Sequence, residues 1–104
     1  MSVLKLTEQQ FLEQVMDLAH LRGFKVVHFR AGMNRRGQWQ TPVAGDGVGF
    51  PDLVLAKAGT VIFAELKADG KKPTPEQTEW LNVLDGCLWT PADFDRINEI
   101  LSME

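Results

Sequence analysis

The sequence predicts a mixed α/β domain with element order αβββαβα, a central mixed sheet flanked by helices and a shortened fourth strand. Three observations lead there. Thr7 and Thr74 are each followed three residues later by glutamine, the capping-box spacing that starts a helix. Between them lie three runs rich in aromatic and β-branched residues, at 24–30, 51–57 and 60–67. After the second capping box only residues 87–89 can form a strand before helix signals return at Thr90 and Pro91.

Each element has a local cause. Leu6 and Phe11 have hydrophobic-staple spacing around Thr7. Phe11, Val15, Leu18 and Ala19 share a stripe and Gly23 stands where a helix ends, so the first helix spans about 8–22. Residues 24–30 form a strand carrying His28. Residues 31–49 contain five glycines and no periodicity, and read as an unusually long loop. Its Trp39, beside Arg35 and Arg36, is suited either to stacking on a base or to anchoring the loop. Ala58 and Gly59 join the next two strands as a tight hairpin. Pro75 at the first position of the second helix directs it over about 75–85, where Asp85 and Gly86 break it. Phe94, Ile97, Ile100 and Leu101 line the apolar side of the last helix.

A chain of 104 residues fits one domain, 1–104. Its small core makes a dimer interface a useful source of further burial. No apolar run approaches the roughly 20 residues of a membrane helix. The N-terminal segment lacks a signal-peptide pattern, so the expected location is the cytoplasm. A single cysteine, Cys87, excludes an internal disulfide and a thiolate zinc site, leaving oxygen and nitrogen as metal ligands. The net charge of −3 argues against a general nucleic-acid binder, but its distribution is uneven. Residues 18–45 carry Arg22, Lys25, Arg30, Arg35 and Arg36 with no acid, and Lys67, Lys71 and Lys72 follow against Asp69. Residues 76–104 hold seven acids and one base. The basic segments are candidate polyanion contacts, although short charge clusters are also ordinary solvated surface.

The hairpin carries the chemistry. With Ala58 and Gly59 as the two turn residues, every cross-strand pair has numbers summing to 117, which sets Asp52 opposite Glu65. Neighbouring carboxylates on a sheet repel, and a divalent cation relieves that repulsion. Oxygen ligands on a rigid sheet, with positions left for water and phosphate, suit Mg²⁺ or Mn²⁺. Strand alternation puts Lys67 on the face of Glu65. A longer turn would slip the register and break the set, and Glu-x-Lys at a strand end is also a common solvated pair. Both strands read as near-continuous apolar runs, expected to be buried on both faces, where acids are costly unless paired or metal-bound.

Gly49-Phe50-Pro51-Asp52, Glu65-Leu66-Lys67 and Gln77, with Thr7, Glu8, Gln14 and His28 upstream, resemble the PD-(D/E)XK nuclease signature in its virus-type replication-repair nuclease (VRR-NUC) form. The resemblance covers nearly the whole chain. It implies a restriction-endonuclease-like core and metal-dependent hydrolysis of DNA phosphodiesters, often at branched or four-way-junction structures. It implies Asp52 and Glu65 as metal ligands with the Leu66 carbonyl as a third, and Lys67 orienting water or stabilising charge on the phosphorus centre. It implies that Gln77 supports the site, and that Glu8 acts on metal or water from the first helix. Family members place a full strand and turn where this chain has only residues 86–89.

Several of these residues have simpler roles. Gln77 completes a capping box, Glu8 is favoured at a helix start by the helix dipole, and His28 suits a half-buried strand position or a DNA contact. The leading expectation is a Mg²⁺- or Mn²⁺-dependent endonuclease acting on DNA as a homodimer, with His28, Arg30, Arg35, Arg36, Lys71 and Lys72 along the DNA path. A catalytically inactive DNA-binding or assembly module of the same fold is the alternative, and a small protein-interaction domain a third.

Overall fold

Thr7 starts the first helix as the sequence predicts: its hydroxyl oxygen accepts from the Gln10 amide at 3.1 Å while its own N–H donates to the Gln10 side chain at 3.0 Å. The computed structural model describes residues 6–29 and 45–103, together with the backbone pairing of 32–33 and 39–40. The elements are α1 (Glu8–Leu21), β1 (Lys25–His28), β2 (Gly32–Met33), β3 (Trp39–Gln40), β4 (Leu53–Lys57), β5 (Thr60–Leu66), α2 (Pro75–Leu84), β6 (Cys87–Trp89) and α3 (Phe94–Ser102), the last preceded by a 3₁₀ turn at Pro91–Asp93. That turn replaces the first turn of the helix expected from Thr90. Gly23, at φ +87°, closes α1 in a Schellman motif, with Phe24 N–H on the Ala19 carbonyl and Gly23 N–H on that of His20.

Four strands form one sheet in the order β1-β4-β5-β6, antiparallel except for the β5–β6 pair. The chain is therefore mixed α/β, with a four-stranded mixed sheet flanked by helices. β2 and β3 pair with each other inside the segment expected to be an irregular loop. The hairpin register is the expected one, from Leu53 opposite Ala64 to Lys57 opposite Thr60. It holds because Ala58 accepts φ +48° beside Gly59 at φ +88°, the two left-handed residues that a type I′ turn requires.

One sheet face packs against α1 and α3. Leu53, Leu55, Ala64 and Leu66 meet Phe11, Val15, Ala19, Ile97 and Leu101 there, with Trp89 fully buried among them. Burial of each large side chain contributes about 1.5–3 kcal/mol before entropy is charged against it. Lys57 and Arg22 tie this layer together. Lys57 Nζ donates to the Arg22 carbonyl at 2.7 Å and lies 5.5 Å over the Phe24 ring, while Arg22 donates to Asn98 Oδ1 at 2.9 Å. The other face is covered only in part, correcting the expectation that β4 and β5 are buried on both sides. Along β4 burial alternates, and Val61 on β5 is 53% exposed. α2 lies over this second face near β5 and contributes no fully buried residue.

Candidate active site

Regular β4–β5 pairing stops at Leu53 and Ala64, and the same register continued by one step sets Asp52 opposite Glu65. Pro51, immediately before, is buried. Proline has no N–H, so the ladder interruption at Pro51 leaves no orphaned donor. The Asp52 carbonyl accepts from Phe29 N–H at 3.0 Å, extending the β1–β4 pairing. Its side chain then takes the place of a ladder carbonyl, with Oδ2 accepting from Leu66 N–H at 3.4 Å. The carboxylate is thereby aimed along β5 toward Glu65.

Glu65 is only 2% exposed, and it is the one charged residue in the core among the described residues. Its Oε2 accepts from Gln77 Nε2 at 3.2 Å and lies 3.8 Å from Lys67 Nζ. Its Oε1 is buried and accepts from no N–H or hydroxyl group. Burial, then the charge of the neighbouring Asp52 carboxylate and a hydrogen bond with it, push the Glu65 carboxyl from 4.5 up to about 8; Lys67 pulls against this and Glu8 adds to it. Near neutral pH the Glu65 carboxyl therefore keeps its proton in the metal-free protein. An acid so placed, between a second acid, a lysine and a glutamine amide, is costly for stability alone.

Other expected site residues divide into three groups. Glu8, His28, Asp52 and Leu66, with Gln9 and Leu12, line a cleft of about 210 Å³ between the first turn of α1 and the sheet. Lys71 and Lys72 are exposed on the segment between β5 and α2. Arg30, Arg35 and Arg36 lie outside the described residues, as does the side chain of Trp39. Burial pushes the Cys87 thiol above its ordinary range, with Asp85 adding to it and Arg96 opposing, which keeps it an inert half-buried residue.

Support for the site comes partly from residues whose roles no motif announced. The Phe50 ring meets those of Phe29, Phe63 and Trp80 edge-on at 5.6, 5.9 and 5.0 Å between centroids. Trp80 Nε1 also donates to the Asp46 carbonyl at 3.0 Å. Residues 46–50 are thus strapped to α2 beside Gln77. Gly49 closes the segment expected to be a loop and Pro51 opens the next strand, and neither says which helix Phe50 between them meets.

Among the described residues, no group of three or more His, Cys, Asp or Glu side chains is arranged to hold a metal ion. The Asp52–Glu65 pair still fits a hard divalent cation. Mg²⁺ is held by one or two carboxylates and keeps several waters, and Glu65 Oε1 is a buried acceptor with no N–H or hydroxyl donor. No protein-family model, curated protein or solved structure matches the chain.

Proposed function

We propose that this protein is a Mg²⁺- or Mn²⁺-dependent DNA endonuclease of the PD-(D/E)XK type, with a restriction-endonuclease-like core and a VRR-NUC-like site. The observation that carries the reading is the convergence of Asp52, Lys67 and Gln77 on a buried Glu65, through the register that the turn at Ala58 and Gly59 sets. Asp52 and Glu65 are the residues that would hold the cation, with the Leu66 carbonyl as a further donor. Bound there, it supplies Lewis-acid polarisation of a phosphoryl oxygen and activation of water.

The chain's own groups do the rest. Lys67, only 17% exposed at its side chain, brings a positive charge to where negative charge develops on phosphorus-bound oxygens. Gln77 donates to Glu65 Oε2 and holds that carboxylate in one orientation. Glu8 and His28 line the cleft at Asp52, where a water or phosphate is accommodated. Lys71 and Lys72, with Arg30, Arg35 and Arg36, hold the DNA backbone through phosphate contacts that position the duplex without reading its sequence.

The test is incubation of the purified chain with supercoiled, linear, flapped and four-way-junction DNA in Mg²⁺, Mn²⁺ or EDTA, beside Asp52→Asn and Glu65→Gln. Cleavage that needs metal and is lost in both variants is expected. Normal turnover by either variant excludes the assignment, and junction binding without cleavage in any metal makes the protein a binding or assembly module. Symmetric cutting of a junction calls for two sites, so the active species is proposed to be a homodimer joined around α2 and β6. Light scattering at micromolar concentration, with and without junction DNA, checks this; a monomer that still cuts both strands symmetrically refutes it.

A further inference from the structure

No residue of α2 is fully buried, and the helix is held to residues 46–50 through the Phe50 and Trp80 rings. Glycines at its two ends set how closely its backbone can approach. A Cβ on Gly86, just beyond the C-terminal end, would come within 2.9 Å of Leu81 Cδ2 and 3.0 Å of the Phe63 carbonyl oxygen. At the N-terminal end, a Cβ on Gly49 would lie 2.7 Å from the carbonyl carbon of Glu76 and 2.8 Å from the backbone nitrogen of Gln77. Gly49 also has φ +85°, where any other residue is strained. Rigid backbone, not a flexible side-chain tip, occupies the space a methyl group would need.

Gln77 sits at this contact and serves two partners. Its Oε1 accepts from Thr74 N–H at 2.8 Å in the capping box. The other end of the amide, Nε2, is therefore left to donate to Glu65 Oε2 at 3.2 Å. A flipped amide would set carbonyl against carboxylate and NH₂ against N–H, losing both bonds. The helix cap thus selects the amide orientation that presents a donor to Glu65, and the reach from helix to sheet depends on how closely residue 49 lets the helix approach.

We infer that Gly49 is a positioning residue of the site: it admits the first turn of α2 close enough to β5 for Gln77, oriented by the Thr74 N–H, to hold Glu65. Its consequence for catalysis rests on the nuclease reading, whereas its consequence for Gln77 does not. Gly70 is the natural control, because it has a similar φ of +82° with nothing within 4 Å of a built Cβ. Gly70→Ala carries the same backbone strain without the collision.

The experiment compares the full chain with Gly49→Ala, Gly70→Ala, Gln77→Ala and the Gly49→Ala/Gln77→Ala double variant. In metal-free protein, solvent exchange of the Gln77 side-chain amide protons, followed by NMR, should accelerate about tenfold or more in Gly49→Ala and stay near the parent rate in Gly70→Ala. With Mn²⁺, Gly49→Ala should weaken metal binding and lower kcat by about 10- to 100-fold with little change in KM. The double variant should be no worse than Gln77→Ala alone in either quantity, because both act through one contact. If Gly49→Ala folds poorly, Trp80→Phe removes the indole donor to Asp46 and shrinks the ring that meets Phe50, loosening the same strap, and should speed the same exchange to a smaller degree. Unchanged Gln77 exchange in a folded Gly49→Ala, or in Trp80→Phe if Gly49→Ala does not fold, overturns the inference, as does a full multiplicative loss in the double variant. Normal cleavage by Asp52→Asn would instead remove the nuclease reading while the exchange result still decides the role of Gly49.

Discussion

Replacing Glu65 by glutamine should remove most of the pH dependence of stability in the metal-free protein. The Glu65 carboxyl titrates at about 8 in the folded chain, against an ordinary value of 4.5, because burial and the adjacent Asp52 disfavour its charge. Between those two values the folded protein keeps a proton that the unfolded chain releases. Stability from this group is therefore fully present below pH 4.5 and falls as pH rises through the window to about 8. At about 1.4 kcal/mol per pH step, the ceiling is roughly 5 kcal/mol, and relaxation or water entry lowers it. Glutamine has no charge to desolvate, and its amide is able to donate to Asp52. Urea unfolding in EDTA, followed through the fluorescence of the buried Trp89, measures the effect at about pH 5.5 and about pH 8.5. Glu65→Gln should exceed the parent by about 1.4 kcal/mol at the lower pH, one step above 4.5, and by roughly 3 kcal/mol more at the higher. Parallel pH slopes for the two proteins would refute the reasoning. A uniform loss of stability in the variant would point instead to a structural ion pair with Lys67.

Three further outcomes follow from the same geometry. Lys67→Ala should lower turnover by about a hundredfold or more with little loss of DNA affinity, because its ammonium acts on charge that develops in the transition state; single-turnover kinetics beside a binding titration separates the two. Arg35→Ala combined with Arg36→Ala should do the reverse, weakening DNA binding and flattening its salt dependence by about two counterions, and a silent result across salt concentrations defeats the basic-segment argument. Ala58→Gly should raise stability by about 1 kcal/mol, because Ala58 sits at φ +48° in the hairpin turn, and a lowered melting temperature would show that the strain is absent.

Local chemistry made most of the fold legible. Thr7/Gln10 and Thr74/Gln77 formed their capping boxes, Gly23 closed α1, and two residues at 58–59 set the hairpin register, because each depends on residues within a few positions of one another. The same register exposed the Asp52–Glu65 pair to a reading of sequence numbers alone, since strand pairing converts sequence position into distance. Errors occurred where contacts are long-range. β4 and β5 looked buried on both faces because apolar content does not say whether a second layer exists to cover them, and α2 covers only part of that face.

By itself, then, the sequence determined where helices begin, where the hairpin turns and which carboxylates face each other, all consequences of short-range backbone geometry. Only the tertiary structure decided that Glu65 is almost wholly buried with one oxygen given no N–H or hydroxyl donor, that Gln77 reaches it while capping α2, and that Gly49 meets the helix backbone across 27 intervening positions. Those facts depend on how three separate segments pack, and the free energy of that packing comes from the Phe50, Phe63 and Trp80 contacts and from desolvation. Neither is encoded at any single position, which is why the acids could be paired from their numbers while the environment that raises the Glu65 pKa could not.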